Sequence, residues 1–278
     1  MPKKPITLTP RDKALLSDIR EYGLHPTKRL AANHFPGVQH STVLRRLRLL
    51  ESASFIQKVP DLGGAGAAWG LTKAGAKLFP EASKVHFPRF IQEHDLKLAA
   101  LRLRLEEVGL ARAWRPEHEI RAKAVERWGR YSVPEISIPD GLMGVDAKGF
   151  REAVAIELEL TAKNQQRYQK IFSDYFSKRQ LWGFWYVVAK PTIGKQLVTA
   201  HKGFSSKSTK PCFFWSLLEE VMADPLRAHA HTLEGTFRVK DLWAAEVPVA
   251  AYSPAQGMST LEGETTAPAH NLTSENNL

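Results

Sequence analysis

Three short helical patterns open the chain, and they restrict its fold more than any other feature. Thr9 followed by Pro10 is a typical helix start, because threonine caps free amide groups and proline fits the first turn. Apolar residues at helical spacing follow until Gly23. A second helix is predicted over residues 27–33 and a third from Ser41. Helices this short need another element to cover their apolar faces.

A hairpin is predicted directly after the third helix. Residues 55–59 and 68–71 have strand composition, and the glycine-rich residues 63–66 form a flexible tip between them. Three helices followed by such a hairpin resemble bacterial winged helix-turn-helix domains, which implies double-stranded DNA as the partner; a protein-binding module is the alternative. Candidate DNA-binding residues are Ser41, Thr42, Arg45, Arg46, Arg48 and Lys58.

Positive charge is concentrated in this N-terminal region. Residues 1–90 hold eight Lys and seven Arg against six acidic residues, whereas the whole chain of 278 residues has a formal net charge of +10. Such a distribution favours a polyanionic partner, because binding to phosphates releases counterions. A single cysteine, Cys212, excludes an internal disulfide framework. With no apolar stretch near the roughly 18 residues of a membrane span, we expect a cytoplasmic protein without membrane insertion.

The pattern after residue 90 predicts a second domain of mixed α/β (α+β) class. A helix over residues 91–108 precedes three strands, a long polar helix and an apolar strand. The predicted domains are 1–80, a linker at 81–90, the second domain at 91–252 and a disordered tail at 253–278. The predicted elements of the second domain are strands at 111–121, 135–143, 153–160 and 181–189 and helices at 161–180, 193–200 and 214–223.

Carboxylates on two of these strands are the candidate site. Asp140 lies on the second strand, and Glu157 and Glu159 lie two residues apart on the third, so their side chains point to the same face. Neighbouring carboxylates repel unless a cation lies between them, and hard oxygen ligands suit Mg²⁺ or Mn²⁺. The alternative is that both glutamates face solvent on an edge strand and that Asp140 is a turn residue.

Pro139-Asp140 followed by Glu157-x-Glu159 resembles the motif of PD-(D/E)xK nucleases. The resemblance implies a restriction-endonuclease-like domain that uses Asp140, Glu157 and Glu159 for catalysis. Position 159 is Glu where the motif has Lys, and the nearest substitute is Lys163 at the start of the next predicted helix. Lys163 is therefore a catalytic candidate, and a solvated helix face is its alternative.

The whole layout resembles the replication-relaxation family, which includes MOBC-type conjugative relaxases. The resemblance implies metal-dependent nicking of DNA at an origin during plasmid mobilisation, conjugation or replication. It also adds Glu119 to the catalytic residues and implies Asp140, Glu157 and Glu119 as metal ligands. The fragments that carry it are His94-Asp95, Glu117-His-Glu-Ile-Arg121, Ile138-Pro-Asp140, Glu157-Leu-Glu-Leu-Thr-Ala-Lys163, Arg167-Tyr168 and Tyr175.

Two other functions remain open at this point. A regulator of transcription or mobilisation that keeps the scaffold without activity is compatible with the missing lysine at position 159. An accessory protein that recruits conjugation or replication proteins is the other. His94 and Asp95 are interpreted as a helix cap, and Tyr168 and Tyr175 as packing residues. The sequence leaves the oligomeric state open, with a homodimer among the options.

Overall fold

The structure, a computed structural model, describes residues 6–59, 67–79, 89–129, 137–147, 150–178, 181–202 and 212–244. Residues Met1–Ala245 form one compact unit. The predicted hairpin tip, most of the predicted linker and the predicted disordered tail lie outside the described residues. Among the described helices, none has the length and apolar composition to cross a membrane.

Four helices and a three-stranded antiparallel sheet form the N-terminal region. Its first helix begins as predicted, with the Thr9 side chain accepting from the Asp12 amide while the Asp12 carboxylate accepts from the Thr9 amide. The short strand β1 was not predicted, and β3 lies between it and β2. The elements are α1 (Pro10–Tyr22), β1 (Leu24–Pro26), α2 (Thr27–His34), α3 (His40–Ser52), β2 (Ile56–Val59), β3 (Ala68–Leu71) and α4 (Lys73–Ala76).

Helix α3 packs on this core with the apolar face that its sequence predicts. Val43, Leu47 and Leu50 are buried against α1 and β3, whose own apolar residues complete the cluster. Arg46 donates through Nε to the buried Asp12 at 2.9 Å. Arg46 therefore has a partner within the protein, and its positive charge compensates for burial of the Asp12 carboxylate.

A seven-stranded sheet organises the rest of the described chain. Its order is β10-β9-β8-β7-β6-β5-β4; β6, β7 and β8 run parallel, and the other pairs are antiparallel. The elements are α5 (Arg89–Glu107), β4 (Arg112–Pro116), α6 (Glu117–Trp128), β5 (Gly141–Ala147), β6 (Phe150–Glu159), α7 (Gln165–Phe176), β7 (Leu181–Val188), α8 (Pro191–His201), β8 (Cys212–Leu217), α9 (Leu218–Ala223), β9 (His229–His231), β10 (Thr236–Arg238) and α10 (Val239–Ala244).

Each face of this sheet has its own apolar core. Leu101 and Leu105 of α5 pack on one face with Ile156 and Leu158. Helices α7 and α8 cover the other face, where their apolar residues meet a cluster of aromatic rings. Strand β7 is buried on both faces, as its continuous apolar run predicts for a central parallel strand.

Several predicted elements have different bounds in the structure. The strand predicted over 111–121 ends at Pro116, and Glu117 begins helix α6, because acidic residues in a first turn interact favourably with the helix dipole. The helix predicted over 214–223 is a strand until Leu217, as its aromatic residues favour. Asp140 lies in a bend before β5 and not on a strand.

Helix α5 also contacts the N-terminal region. Its Leu96 packs against a small cluster that includes Leu24 and Val59. Arg102, with a side chain only 5% exposed, donates to the Glu21 carbonyl at 3.1 Å and forms ion pairs with Glu21 and Glu106. This buried cation therefore links α5 to the end of α1.

Replacing Arg102 with Ala should lower the free energy of unfolding by about 2–3 kcal/mol, because the variant loses a buried, packed side chain and its charged hydrogen bonds to Glu21 and Glu106. Urea denaturation of the full chain measures the change. Lys97→Ala, which removes an exposed ion pair from the same helix, is the control and should change stability by less than about 0.5 kcal/mol. Equal losses in the two variants would contradict the role of Arg102.

Candidate active site

Asp140 is held at the start of β5 by three surrounding elements. Its carbonyl accepts from the Glu117 amide of α6 at 3.1 Å. Its carboxylate oxygen Oδ2 accepts from the Leu158 amide of β6 at 2.8 Å and lies 3.2 Å from His94 Nε2 of α5. The next residue, Gly141, pairs with Ile156, and a Cβ there would lie 2.2 Å from the Trp114 ring. Close packing thus fixes Asp140 beside Glu157.

Glu157 is a buried carboxylate on the face of β6 that α7 covers. Its Oε1 accepts a hydrogen bond from the Tyr175 hydroxyl. Burial raises the pKa of Glu157 to about 8, and repulsion by Asp140 adds to the shift, whereas Lys163 and the Tyr175 hydrogen bond oppose it. A carboxylate that is buried beside a second carboxylate has its pKa raised in this way, because both effects disfavour its charged form.

Glu159 and Lys163 form an ion pair at the end of β6. Burial raises the pKa of Glu159, and the positive charge of Lys163 partly offsets the increase. Lys163 lies before the α7 N-cap, Asn164, so the prediction that it starts this helix is wrong. Its backbone amide donates to the Tyr168 hydroxyl at 2.9 Å, which holds this turn in place.

Three buried tyrosines surround the carboxylates. Tyr168 and Tyr175 pack in the core as predicted, but their hydroxyl groups also contact Lys163 and Glu157. Tyr186 lies opposite Glu157 on β7, and the sequence analysis did not single it out as a site residue. Burial, together with Glu157 and Glu159, raises the pKa of Tyr186 well above its usual value. Its hydroxyl forms no hydrogen bond with the described residues.

His94 lies inside α5, so its interpretation as a helix cap is wrong. Burial lowers the pKa of His94, but the hydrogen-bonded carboxylate of Asp140 and the nearby carboxylate of Asp95 outweigh this effect and raise it to about 10. Only its place in the His94-Asp95 fragment distinguished it in the sequence. Its contact with Asp140 arises from tertiary packing.

Glu119 has a different environment. It lies in the first turn of α6, where its carboxylate forms an ion pair with Arg20 of α1 at 3.3 Å. The strand predicted over 111–121 would have placed Glu119 on a strand, and that prediction is wrong. The structure brings together Asp140, Glu157, Glu159 and Lys163, and it places Glu119 with Arg20.

The site offers a divalent cation two neighbouring carboxylates, those of Asp140 and Glu157. Within the described ranges, no group of three or more His, Cys, Asp or Glu side chains is arranged to hold a metal ion. Mg²⁺ commonly takes one or two carboxylates and completes its coordination with water and phosphate oxygens. Repulsion by Asp140 contributes to the raised pKa of Glu157, and a cation bound between the two groups would favour the ionised form of Glu157. The pair thus fits a partly hydrated ion, and a cage made only of protein ligands is absent from the described residues.

The second candidate surface surrounds α3. Ser41, Thr42, Arg45 and Arg48 are exposed along this helix, and Lys58 is exposed on β2. Two shallow depressions flank α3, and both have basic side chains in their walls. The basic residues are Arg11, Arg45 and Arg46 in the first depression and Lys28, Arg48 and Lys58 in the second.

Comparison with known proteins gives one family match. The sequence model of the replication-relaxation family matches residues 16–183. No curated protein matches the chain.

Two solved structures of the restriction endonuclease FokI, one free and one bound to DNA, align with TM-scores of 0.24 and 0.25 at 11% and 9% identity. Each alignment covers 79% of this chain and 45% of the FokI chain, so the match spans less than half of FokI. These TM-scores are too low to carry an argument. The family match covers more than half of the chain and includes all four clustered side chains. The chain belongs to the replication-relaxation family.

Proposed function

We propose that this protein binds double-stranded DNA through its N-terminal region and cleaves one DNA strand at the Asp140–Glu157 pair in a reaction that needs Mg²⁺ or Mn²⁺. The observation that carries the proposal is the buried Glu157 carboxylate held beside Asp140, with Lys163 close by. Membership of the replication-relaxation family supports a role in replication or mobilisation of a plasmid or a similar element.

Each clustered residue has a distinct task in this reaction. Asp140 and Glu157 would hold the metal ion, which when bound supplies charge neutralisation at the phosphate and a more acidic water. Glu159 orients Lys163 through their ion pair. The Lys163 ammonium group would then stabilise negative charge on the scissile phosphate. The Tyr175 hydroxyl fixes the rotamer of Glu157 through its hydrogen bond.

The N-terminal region supplies the DNA contacts in this proposal. The arrangement of α1, α2 and α3 with a sheet of order β1-β3-β2 is consistent with a winged helix-turn-helix, and the second sheet is consistent with a PD-(D/E)xK domain. Arg45 and Arg48 are exposed on α3, the helix that a winged helix places in the major groove. Contacts between α5 and the N-terminal region would hold the carboxylates at a constant distance from the bound DNA.

Replacing Arg45 and Arg48 together with Ala should weaken DNA binding by about 10–100-fold, because each lost arginine contact costs roughly 1 kcal/mol or more. Fluorescence anisotropy at constant ionic strength measures the affinity. Lys190→Ala/Lys195→Ala removes the same charge from exposed positions around α8 and is the matched control. If both double variants lose the same affinity, binding depends on net charge and not on α3.

A second candidate function is a DNA-binding regulator without nuclease activity. The observation that favours it is the absence, among the described residues, of a group of three metal-binding side chains. The two functions differ in one experiment, incubation of supercoiled origin DNA with the full chain and Mg²⁺ or Mn²⁺. Conversion to the open circular form supports the nuclease. Binding of the same DNA without conversion in either metal supports the regulator.

A further inference from the structure

One oxygen of the Asp140 carboxylate is held by two donors from different elements. Oδ2 accepts from the Leu158 amide and lies 3.2 Å from His94 Nε2. The same nitrogen lies 3.0 Å from the Leu158 carbonyl oxygen. Both oxygens are acceptors, since Oδ2 already receives the Leu158 amide proton, so Nε2 must carry a hydrogen and donate to them. His94 thereby ties the carboxylate to the backbone of β6.

The His94 imidazole is carried by a helix that is packed on both the large sheet and α1. Asp95 Oδ1 lies 3.6 Å from its Nδ1. The helix that carries it packs through Leu101 and Leu105 into the core of the large sheet, and Arg102 links it to α1. A donor on such a helix has little freedom to move, which is what the orientation of a ligand requires.

The other carboxylate oxygen of Asp140, Oδ1, differs from Oδ2 in its hydrogen bonding. Among the described residues, no side chain or backbone group donates a hydrogen bond to Oδ1. A carboxylate with one oxygen fixed and one oxygen available has a single orientation in which to accept a ligand. Loss of the His94 donor leaves only the Leu158 amide, and the carboxylate regains rotational freedom.

We infer that His94 is a positioning residue, which orients Asp140 for a divalent cation and takes no direct part in the chemistry. The inference rests on the proposed function, since it assumes that Asp140 binds the cation. Hydrogen-bond partners of this kind typically change metal affinity by about 10–100-fold. The role needs an N–H donor at Nε2, which a glutamine amide supplies and an apolar side chain does not.

The test compares His94→Ala, His94→Gln and His94→Leu in the full chain. Calorimetric titration with Mn²⁺ alone gives the dissociation constant, and nicking of supercoiled DNA over a series of Mn²⁺ concentrations gives the half-saturating concentration and the maximal rate. Lys97→Ala, at an exposed position of the same helix, is the matched control. A purely structural role would not produce a selective change in the Mn²⁺ requirement.

We expect His94→Ala and His94→Leu to raise the Mn²⁺ dissociation constant about 10–100-fold, and His94→Gln to stay within about threefold of the unchanged protein. DNA affinity should be the same in all variants. If His94→Ala does not fold, the difference in Mn²⁺ affinity between His94→Gln and His94→Leu tests the same role. Unchanged Mn²⁺ binding in His94→Leu, or an equal loss of Mn²⁺ affinity in His94→Gln and His94→Leu, would overturn the positioning role of His94 but not the proposed function. Absence of Mn²⁺ binding in the unsubstituted chain would overturn the proposed function as well.

Discussion

Replacing Glu157 with Gln should reduce metal-dependent nicking by roughly 10³-fold and leave DNA affinity unchanged. Gln has almost the same shape as Glu and can still accept the hydrogen bond from Tyr175. The substitution therefore removes the ionisable group that would bind the metal ion without emptying a buried position. A folded variant with normal DNA binding and no nicking assigns the loss to the chemistry.

Glu126→Gln is the matched control, because it makes the same change on the exposed surface of α6. It should nick supercoiled DNA at the rate of the unsubstituted chain. Rates come from gel quantification of the open circular form at saturating DNA and several Mg²⁺ concentrations. Glu157→Gln activity within about threefold of the control would exclude Glu157 from the reaction.

The metal-free protein should lose stability as the pH rises from 6.5 to 8. Two groups at the site are responsible: Glu157, whose pKa rises from 4.5 to about 8, and His94, whose pKa rises from 6.5 to about 10. Across this interval both groups keep a proton in the folded state that they release in the unfolded state. Stability therefore falls with increasing pH, by up to about 1.4 kcal/mol per pH unit for each group.

Urea denaturation at pH 6.5, 7.2 and 8 tests this slope, with a chelator present to remove divalent ions. Glu157→Gln should lose its share of the slope and become the more stable protein at pH 8, since Gln carries no charge to bury. The buried His25 and His201, whose pKa burial lowers to about 4, stay neutral in the folded protein over this range. Identical slopes for Glu157→Gln and the unsubstituted chain would refute the assignment of the raised pKa to Glu157.

The N-terminal region was the easier part to predict, because its signals are local. The cap at Thr9, the apolar spacing of α3 and the strands beside the glycine-rich segment each depend on a few consecutive residues. Strand β1 is three residues long, which is too short to produce a periodic pattern. It is a strand because Leu24 and His25 pair with β3, over 40 residues later in the chain.

The rest of the chain was harder to predict, since several local signals compete there. Glu117 and Glu119 alternate with other residues as in a strand, yet Pro116 ends β4 and the acidic residues favour a first helical turn. Similarly, residues 214–223 contain both a strand end and a helix start, and the aromatic pairing of β8 with β7 decides where the helix begins.

The site was predictable only in part. Sequence alternation places Glu157 and Glu159 on one face of β6, but their relation to Asp140 depends on the register between β5 and β6. Two residues separate β5 from β6, and a connection this short fixes their register, but the strands predicted at 135–143 and 153–160 did not reveal the hairpin. Glu119 was added by resemblance, and its ion pair with Arg20 comes from the packing of α1 near α6. His94 was noticed in the sequence, but its contact with Asp140 needs the docking of α5 on the sheet.

A metal site at Asp140 and Glu157 is tested most directly by calorimetric titration of the full metal-free chain with Mn²⁺ near pH 7 in two buffers of different ionisation enthalpy. We expect one bound ion and release of a proton, because Glu157 must ionise to bind the metal. Both the binding heat and the proton release should disappear in Glu157→Gln and persist in Glu126→Gln. No binding by the unsubstituted chain, or equal binding by Glu157→Gln, would contradict a metal site at Asp140 and Glu157.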